Sequence, residues 1–250
     1  SAARNAGWRE IGTPLVLFLD DDVLPEPRLV EEHLDWHAHH PGMDVGVLGH
    51  VRCARELRVT PFMRWLDRGI QFDYGRIRGD EAGWGRFCTA NVSVKRALLE
   101  AVDGFDEALP YGYEDLDIAK RAHDQQGFRL LYARNAVGEH LQRTSLELFK
   151  GRIERNALAE RSFVRLHPEI RPYFRDLFED ARARGPVRGR AARLAAVVPP
   201  RMPLLGPWVW ERADVYFRQQ LAPYFFAAWE RAAQEEPAVS ASGSSPSGPK

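Results

Sequence analysis

The distribution of apolar and polar residues along the first half of the chain predicts alternating strands and helices. Residues 15–19 form an unbroken apolar run entered through a Gly-Thr-Pro turn. Such a run is typical of a central strand that is buried on both faces of a parallel sheet flanked by helices. Apolar residues then recur at helical spacing over residues 29–37, after Pro25 and Pro27. We therefore expect an α/β fold.

The same patterns predict further elements downstream. Strands are expected over 44–51, 87–94 and 128–133, a turn at 136–139, and helices over 61–75, around 98–99 and over 114–126. Gly127 would close the last of these helices. Thr144 to Glu147 match a capping box, which predicts a long helix from about residue 145.

The last third of the chain has a different character. Residues 182–201 contain six arginines and no acidic residue, and an apolar segment follows over 202–210. The tail from Pro237 is rich in Ser, Gly and Pro, which predicts disorder. We predict a motif-bearing domain over 1–165, a helical, Arg-rich and amphipathic extension over 166–236, and a disordered tail over 237–250.

Composition narrows the class of protein. A hydrophobic fraction of 44% in 250 residues allows a packed core, and 35 basic side chains balance 35 acidic ones. This balance gives no overall basic field, so no nucleic acid partner is expected. No apolar run approaches the roughly 20 residues that a membrane-spanning helix needs. Cys53 and Cys88 lack CxxC spacing, which favours reduced thiols in a cytoplasmic protein.

Three consecutive carboxylates, Asp20, Asp21 and Asp22, end the apolar run at 15–19. They repel one another unless a cation neutralises them, and the carboxyl end of a strand in an open α/β sheet is where ligands bind. Hard oxygen donors suit Mg²⁺ or Mn²⁺, which would in turn hold a diphosphate. The alternative is an acidic turn in which one Asp caps the next helix.

A second acidic cluster, residues 113–117, begins a predicted helix and includes Glu114 and Asp115. The helix dipole is expected to hold the pKa of these carboxyl groups low and keep them ionised. An ionised carboxylate in a cleft can take a proton from a hydroxyl nucleophile as a general base. The alternative is the ordinary acidic first turn of a helix, although Tyr111 and Gly112 before it favour a ligand-contacting loop.

Histidine and arginine residues supply further candidates. Neutral imidazole is a good Mn²⁺ ligand, so His140 could complete a site begun by Asp22, although an isolated histidine is commonly structural. Other histidines are expected on a solvated helix face and at its end, at positions 33, 37, 39 and 40. The planar guanidinium matches phosphate oxygens, and the candidates for that contact, or for plain surface charge, are Arg4, Arg143, Arg152 and Arg155.

Taken together, these residues resemble glycosyltransferase family 2, the inverting enzymes with the GT-A fold. The matching segments follow the family's order over about residues 1–165: 3–7, 16–22, 89–94, 104–107, 112–117 and 136–140. The resemblance implies a GT-A-like (Rossmann-like) mixed sheet flanked by helices, with a helical C-terminal extension. Such enzymes begin with a nucleobase-binding strand-helix-strand unit, and this chain, which has no initiator Met, is expected to start after it.

The resemblance also implies roles around a metal and a nucleotide. Asp22 takes the place of the carboxylate that binds the divalent metal, Mn²⁺ or Mg²⁺. Asp20 or Asp21 takes the place of the carboxylate that meets the ribose. His140 stands where similar enzymes have a histidine that helps to bind the metal.

Further roles concern the transfer itself. Asp115 takes the place of the family's general base and Glu114 that of its supporting neighbour. Trp84 and Asn91 stand where contacts with the donor sugar and the acceptor are commonly found. The implied reaction is a single displacement with inversion, from a nucleotide-sugar donor (a UDP-sugar being favoured) to a glycan or lipid-linked acceptor.

The extension lies outside the matching segments. Its composition predicts peripheral membrane contact through 182–229, on the cytoplasmic face. The residues that favour this contact are its arginines and the neighbouring Met202, Leu204, Leu205, Trp208 and Trp210. Packing on the motif-bearing domain and a dimer contact are equally compatible with the pattern.

Two other functions remain open at the level of sequence. One is a non-catalytic carbohydrate- or partner-binding remnant of the same fold. The other is a phosphatase of the haloacid dehalogenase type with Asp20 as nucleophile, although that motif prefers Thr or Val where Leu24 stands.

Overall fold

The computed structural model describes residues 1–109 and 112–235. Within these ranges the strands are β1 (Leu15–Leu19), β2 (Val23–Pro25), β3 (Val45–Cys53), β4 (Asn91–Lys95) and β5 (Arg129–His140). The α-helices are α1 (Ala2–Glu10), α2 (Leu29–His39), α3 (Pro61–Asp67), α4 (Arg96–Ala101), α5 (Glu114–Gln126), α6 (Leu146–Leu166), α7 (Tyr173–Ala183), α8 (Arg190–Val197) and α9 (Leu205–Glu235). Tyr111 and the predicted disordered tail lie outside the described residues.

The strands form one mixed sheet in the order β1-β4-β3-β5-β2. β3 and β5 run parallel, whereas β1 with β4, β3 with β4, and β2 with β5 are antiparallel. Helices flank this sheet, and the C-terminal helices pack against one another and against α3. The predicted mixed α/β sheet with helical C-terminal elements is therefore confirmed.

The apolar run at 15–19 forms a strand, but its predicted central position in a parallel sheet is wrong. Among the described residues β1 pairs only with β4, in antiparallel register, and so lies at the edge of the sheet. Of its side chains only Val16 is fully buried. An apolar run indicates shielding from water, but it carries no information on the number or direction of neighbouring strands.

The helix predicted over 61–75 ends at Asp67. The amides of Gly69, Ile70 and Gln71 all donate to the carbonyl of Leu66, so the chain turns back before the predicted end. The segment that follows contains a 3₁₀ turn, Tyr74–Arg76.

β5 continues through the turn predicted at 136–139. Its pairing with β3 shifts between Gly49 and His50, and residues 134–136 form the bulge opposite that point. The long helix predicted from residue 145 is confirmed as α6, and Ser145 is its N-cap, with its hydroxyl accepting from the Leu148 amide at 3.3 Å. Glu147 pairs with Lys150 instead of completing a capping box.

The helices after residue 145 share a hydrophobic core with α3. Phe62 and Trp65 of α3 pack against Phe217 of α9, with ring centroids 5.4 and 5.2 Å apart. The indole N–H of Trp65 also donates to Asp214 of α9 at 2.8 Å. A separate core lies between the sheet and α1, α4 and α5. Although α9 has 31 residues, the described helices include none with enough continuous apolar length to cross a bilayer.

A buried polar network joins α2 to the sheet and corrects the solvated position predicted for two histidines. His33 and His37 are 3% and 4% exposed. His33 contacts Ser93 at 2.8 Å and Asn91 at 2.9 Å, and His37 contacts Ser93 at 2.9 Å and Lys95 at 2.8 Å. Alternate residues of β4 therefore point polar side chains at α2, and the histidines are their partners.

This network predicts a pH-dependent stability. Burial, and then the nearby Lys95 and His33, lower the pKa of His37 to about 4. In the unfolded chain a histidine titrates near pH 6.5, so the unfolded state binds the proton first as the pH falls. The stabilising contribution of neutral His37 should thus be complete above about pH 6.5 and be lost towards about pH 4.

Urea unfolding of the wild type and the His37→Gln variant measures this contribution. Their difference in unfolding free energy should shrink by on the order of 2 kcal/mol between about pH 7 and about pH 4.5. Comparing the two proteins cancels the titration of all other groups. A difference that stays constant across this interval contradicts the neutral burial of His37.

Candidate active site

A cavity of about 910 Å³ opens between the carboxyl end of β1, the amino end of α5, and helices α6 and α7. Both predicted acidic clusters face it, although they are far apart in sequence. The candidate residues that line the cavity are Arg4, Asp20, Asp21, Asp22, Trp84, Glu114, Asp115, His140 and Arg152. The fold thus brings nearly all of the candidates into one space.

Arg4 of α1 links the two acidic clusters. Its guanidinium donates to Glu114 at 2.8 Å and lies 3.7 Å from Asp115. Asp20, at the end of β1, is close enough to help raise the pKa of Arg4, although burial opposes this effect most strongly. The neighbouring Asn5 fixes the position of α1, since its side chain donates to the Phe105 carbonyl at 2.8 Å and accepts from the Phe105 amide at 2.9 Å.

Asp115 has one oxygen held and one oxygen without a hydrogen bond. Oδ2 accepts from the Thr89 amide at 2.9 Å and the Thr89 hydroxyl at 3.0 Å. Oδ1 is buried and has no hydrogen-bond partner among the described residues. Burial raises the pKa of Asp115 to about 6, partly offset by Arg4. The low pKa expected from the helix dipole is therefore wrong for this residue, because loss of water outweighs the dipole.

Asp22 and His140 are brought together by the pairing of β2 with β5. Val23 lies opposite His140 in the ladder, and the Leu141 amide donates to the Asp22 carbonyl at 2.8 Å. As a result, Asp22 Oδ2 and His140 Nε2 are 3.2 Å apart. The Asp22 side chain is 37% exposed and the His140 side chain 12%, so both can be reached from the cavity.

This pair fits a cation that takes most of its ligands from a phosphate. Mg²⁺ and similar ions commonly bind through one or two protein groups and complete their shell with substrate oxygens and water. Residues 1–109 and 112–235 contain no group of three or more His, Cys, Asp or Glu side chains placed to hold a metal ion. A carboxylate with an imidazole suits Mn²⁺ at such an open site, whereas a closed protein cage does not fit.

Asp20, at the end of β1, is partly buried. Burial raises the pKa of Asp20, Arg4 opposes this rise, and the neighbouring Asp22 and Asp21 add to it. The run of three carboxylates is thus stabilised on one side by Arg4 and remains open to a further cation on the other.

Trp84 and Arg152 form parts of the cavity wall. Arg152 of α6 lies over the Phe149 ring, 5.7 Å from its centroid, and reaches Gln142 at 3.4 Å. No carboxylate within the described ranges pairs with it. Its charge is therefore available to an anion in the cavity.

Three predicted contact residues lie elsewhere. Asn91 is 1% exposed and faces α2, where its Oδ1 accepts from His33 Nε2 at 2.9 Å, and its amide nitrogen donates to the Ala136 carbonyl at 2.9 Å. Arg155 is exposed on α6 and does not line the cavity, and the same holds for Arg143 after β5. Strand alternation explains Asn91: its neighbours Ala90 and Val92 point to the opposite face.

Three residues with structural roles at the cavity were not predicted from the sequence: Thr89, Tyr113 and Glu160. Thr89 stands in a matching segment, but nothing local indicates that it binds Asp115. The sequence does contain an indication for Glu160. It lies on the buried stripe of α6 with Ile153 and Ala157, where a charged residue needs a partner.

Glu160 connects the residues that begin α5 to α7. The carboxylate is 0% exposed and accepts from the Tyr113 hydroxyl at 2.6 Å, the Phe174 amide at 2.7 Å and the Arg175 amide at 2.9 Å. It therefore binds the free amides at the start of α7. It also holds Tyr113, the residue immediately before Glu114 and Asp115.

Replacing Glu160 by Gln should destabilise the protein by about 1–3 kcal/mol. The amide of the new side chain would point a donor at the Arg175 amide, leaving two donors facing each other in a buried site. Urea unfolding at neutral pH measures the loss. Tyr113→Phe is the matched control, because it removes one hydrogen bond and leaves the start of α7 intact; its cost should be about 1 kcal/mol. A Glu160→Gln variant as stable as the wild type contradicts the assigned role of Glu160.

Comparisons with known proteins agree on one class of enzyme. No protein-family model matches the chain. Two validoxylamine A glucosyltransferases, from Streptomyces hygroscopicus subspecies jinggangensis and limoneus, are each 26% identical to it over 203 residues, covering 69% of this chain. Among solved structures, a mannosyltransferase from Pyrobaculum calidifontis in complex with GDP-Man and Mn²⁺ aligns with a TM-score of 0.55 and 17% identity. The chain has the fold of a glycosyltransferase.

The extent of these matches differs. The mannosyltransferase alignment covers 94% of this chain and 67% of the solved chain. By contrast, the chain spans less than half the length of the two curated relatives, 46% and 42%. The structural likeness thus extends over nearly all of this chain, whereas the sequence likeness to the curated relatives covers 69% of it and less than half of each relative.

Proposed function

We propose that the protein transfers a sugar from a nucleoside diphosphate sugar to an acceptor hydroxyl, as an inverting GT-A enzyme of glycosyltransferase family 2. The observation that carries the proposal is the shared cavity, which is lined both by Asp115, whose buried Oδ1 has no hydrogen-bond partner among the described residues, and by the Asp22–His140 pair. A base for the acceptor and a binding site for the leaving diphosphate are the two things that such a reaction needs.

Asp115 is proposed as the general base. Its Oδ1 takes the proton of the acceptor hydroxyl as that oxygen bonds to the anomeric carbon, and the bond from this carbon to the diphosphate oxygen breaks. The nucleoside diphosphate leaves with the bonding electron pair. Because Thr89 holds Oδ2, the carboxylate presents Oδ1 in a fixed orientation, and Arg4 compensates the charge of the cluster.

The donor is proposed to bind along the opposite wall. Asp22 and His140 would hold Mn²⁺, or Mg²⁺, and the cation would neutralise the charge that develops on the leaving diphosphate. The planar guanidinium of Arg152 would donate hydrogen bonds to phosphate oxygens. Asp20 or Asp21 is assigned to the ribose, and the aromatic ring of Trp84 is assigned to contact with the donor sugar. A UDP-sugar remains the favoured donor, with a GDP-sugar as the alternative in view of the mannosyltransferase.

Asp115→Asn tests the base. The variant keeps an oxygen for Thr89 but cannot accept the proton, so kcat should fall about 10²–10⁴-fold with little change in KM for the donor. Asp103→Asn is the matched control, because Asp103 has a fully exposed side chain at φ 56°, a backbone region that Asn tolerates. Near wild-type turnover by the Asp115→Asn enzyme would falsify the assignment.

The pH dependence provides a second readout of the same residue. With the pKa of Asp115 at about 6, the base is mostly ionised above that pH and becomes protonated below it. The wild-type kcat/KM should therefore fall as the pH drops below about 6, and this limb should be missing from the residual rate of Asp115→Asn.

Asp22→Asn tests donor binding without relying on turnover. Mn²⁺ with UDP or GDP at about 100 times its Kd should stabilise the wild type by ~2.7 kcal/mol, seen as a rise in Tm. The Asp22→Asn variant should lose most of this rise, whereas Asp103→Asn should retain it. Comparing UDP with GDP identifies the nucleotide. Equal stabilisation of the wild type and the Asp22→Asn variant contradicts the proposed metal site.

The other functions considered from the sequence make different predictions. A non-catalytic remnant would bind the nucleotide sugar but show no transfer or hydrolysis that depends on Asp115. A phosphatase would release phosphate from simple phosphoesters through Asp20. The named relatives are all glycosyltransferases, which supports sugar transfer over phosphate release.

A further inference from the structure

A cluster of exposed apolar side chains lies where α8 leads into α9. We call it the α8–α9 surface; its members are Leu194, Val197, Met202, Leu204, Leu205 and Trp208. Val197 is 76% exposed and Leu204 93%. Single exposed apolar residues are common, but several within fifteen positions of the chain mark an interaction site. The predicted membrane-contact residue Trp210 is not part of this surface, because it is 6% exposed and donates to the Val198 carbonyl.

The backbone holds this surface in place. Trp210 fixes the segment after α8 through the Val198 carbonyl at 2.9 Å. Gly206 packs so tightly that a Cβ there would lie 2.5 Å from the Pro200 carbonyl oxygen. Leu204 has φ 61°, a conformation that a leucine rarely adopts. The backbone of Leu204 thus carries a conformational cost while its side chain is 93% exposed, and this combination favours a use for the exposure.

Every charged residue between positions 182 and 210 is basic. Arg188, Arg190, Arg193 and Arg201 are exposed, and in the described part of the chain no carboxylate pairs with any of them. Arg201 also lowers the pKa of Arg68, after the larger effect of burial, which shows that positive charge accumulates there. An anionic lipid bilayer has negatively charged head groups above an apolar layer. Basic side chains beside projecting apolar ones complement such a bilayer.

We propose that the α8–α9 surface docks on an anionic lipid bilayer, with Val197, Leu204 and Trp208 entering the interface and the arginines on the head groups. Val197 and Leu204 project from the protein, since they are 76% and 93% exposed. Projecting side chains suit insertion into lipid better than burial in a protein groove. Tryptophan and arginine are residues favoured at the boundary between head groups and acyl chains. The proposal stands independently of the transfer reaction, because none of these residues lines the cavity.

Sedimentation of the full chain with phosphatidylcholine vesicles, with and without phosphatidylserine, tests the proposal. The wild type should bind the anionic vesicles at low salt, and less so at high salt. Leu204→Asn with Val197→Asn should weaken binding at least tenfold; Asn also suits the backbone at position 204. Arg190→Gln with Arg193→Gln should weaken it roughly tenfold to thirtyfold.

Matched controls separate the surface from general charge and apolarity. Arg78→Gln with Arg143→Gln removes the same charge from other exposed positions, and Leu148→Asn removes a leucine that is 71% exposed on α6. These controls should bind like the wild type, and all variants should keep the wild-type Tm rise with Mn²⁺ and nucleotide if the proposed donor site is correct. Failure of the wild type to bind anionic vesicles, equal binding to neutral ones, or self-association through this surface in place of lipid binding overturns the proposal.

Discussion

The site depends on one constraint: several carboxylates must remain together in a cavity that is partly shielded from water. Arg4 satisfies this constraint, because its guanidinium donates to Glu114, lies 3.7 Å from Asp115 and interacts with Asp20. One guanidinium from α1 thus joins the end of β1 to the start of α5. The compensation is incomplete, because the pKa of Asp115 is still raised to about 6. In the proposed reaction, this raised pKa suits Asp115 to the role of general base near neutral pH.

The C-terminal helices support the same arrangement from the other side. Their core includes Phe62 and Trp65 of α3 as well as residues of α6, α7 and α9. Within that core Glu160 binds both the start of α7 and Tyr113, so the position of Tyr113, immediately before Glu114, depends on helices far along the chain. The extension is thus part of the site's framework, while its α8–α9 surface faces away from that core.

Much of the fold and of the candidate site was predictable from the sequence, because local patterns determine these features. The acidic clusters stood at a strand end and a helix start, and both face the cavity. The features that the sequence predicted wrongly depend on contacts between distant segments of the chain. His33 and His37 are polar by sequence, and their burial is explained by the polar partners that β4 places opposite them, Asn91, Ser93 and Lys95. Asn91 belonged to a matching segment, yet strand alternation turns it towards α2. The edge position of β1 depends on which strands pair, which an apolar run does not encode.

A crystal structure with Mn²⁺ and a nucleoside diphosphate, with the metal located by anomalous scattering, tests the central claim most directly. The account predicts an anomalous peak bound to both Asp22 and His140, the diphosphate on that metal beside Arg152, and Asp115 Oδ1 facing the same chamber. A metal bound away from both residues, or a nucleotide held outside the cavity, would contradict it.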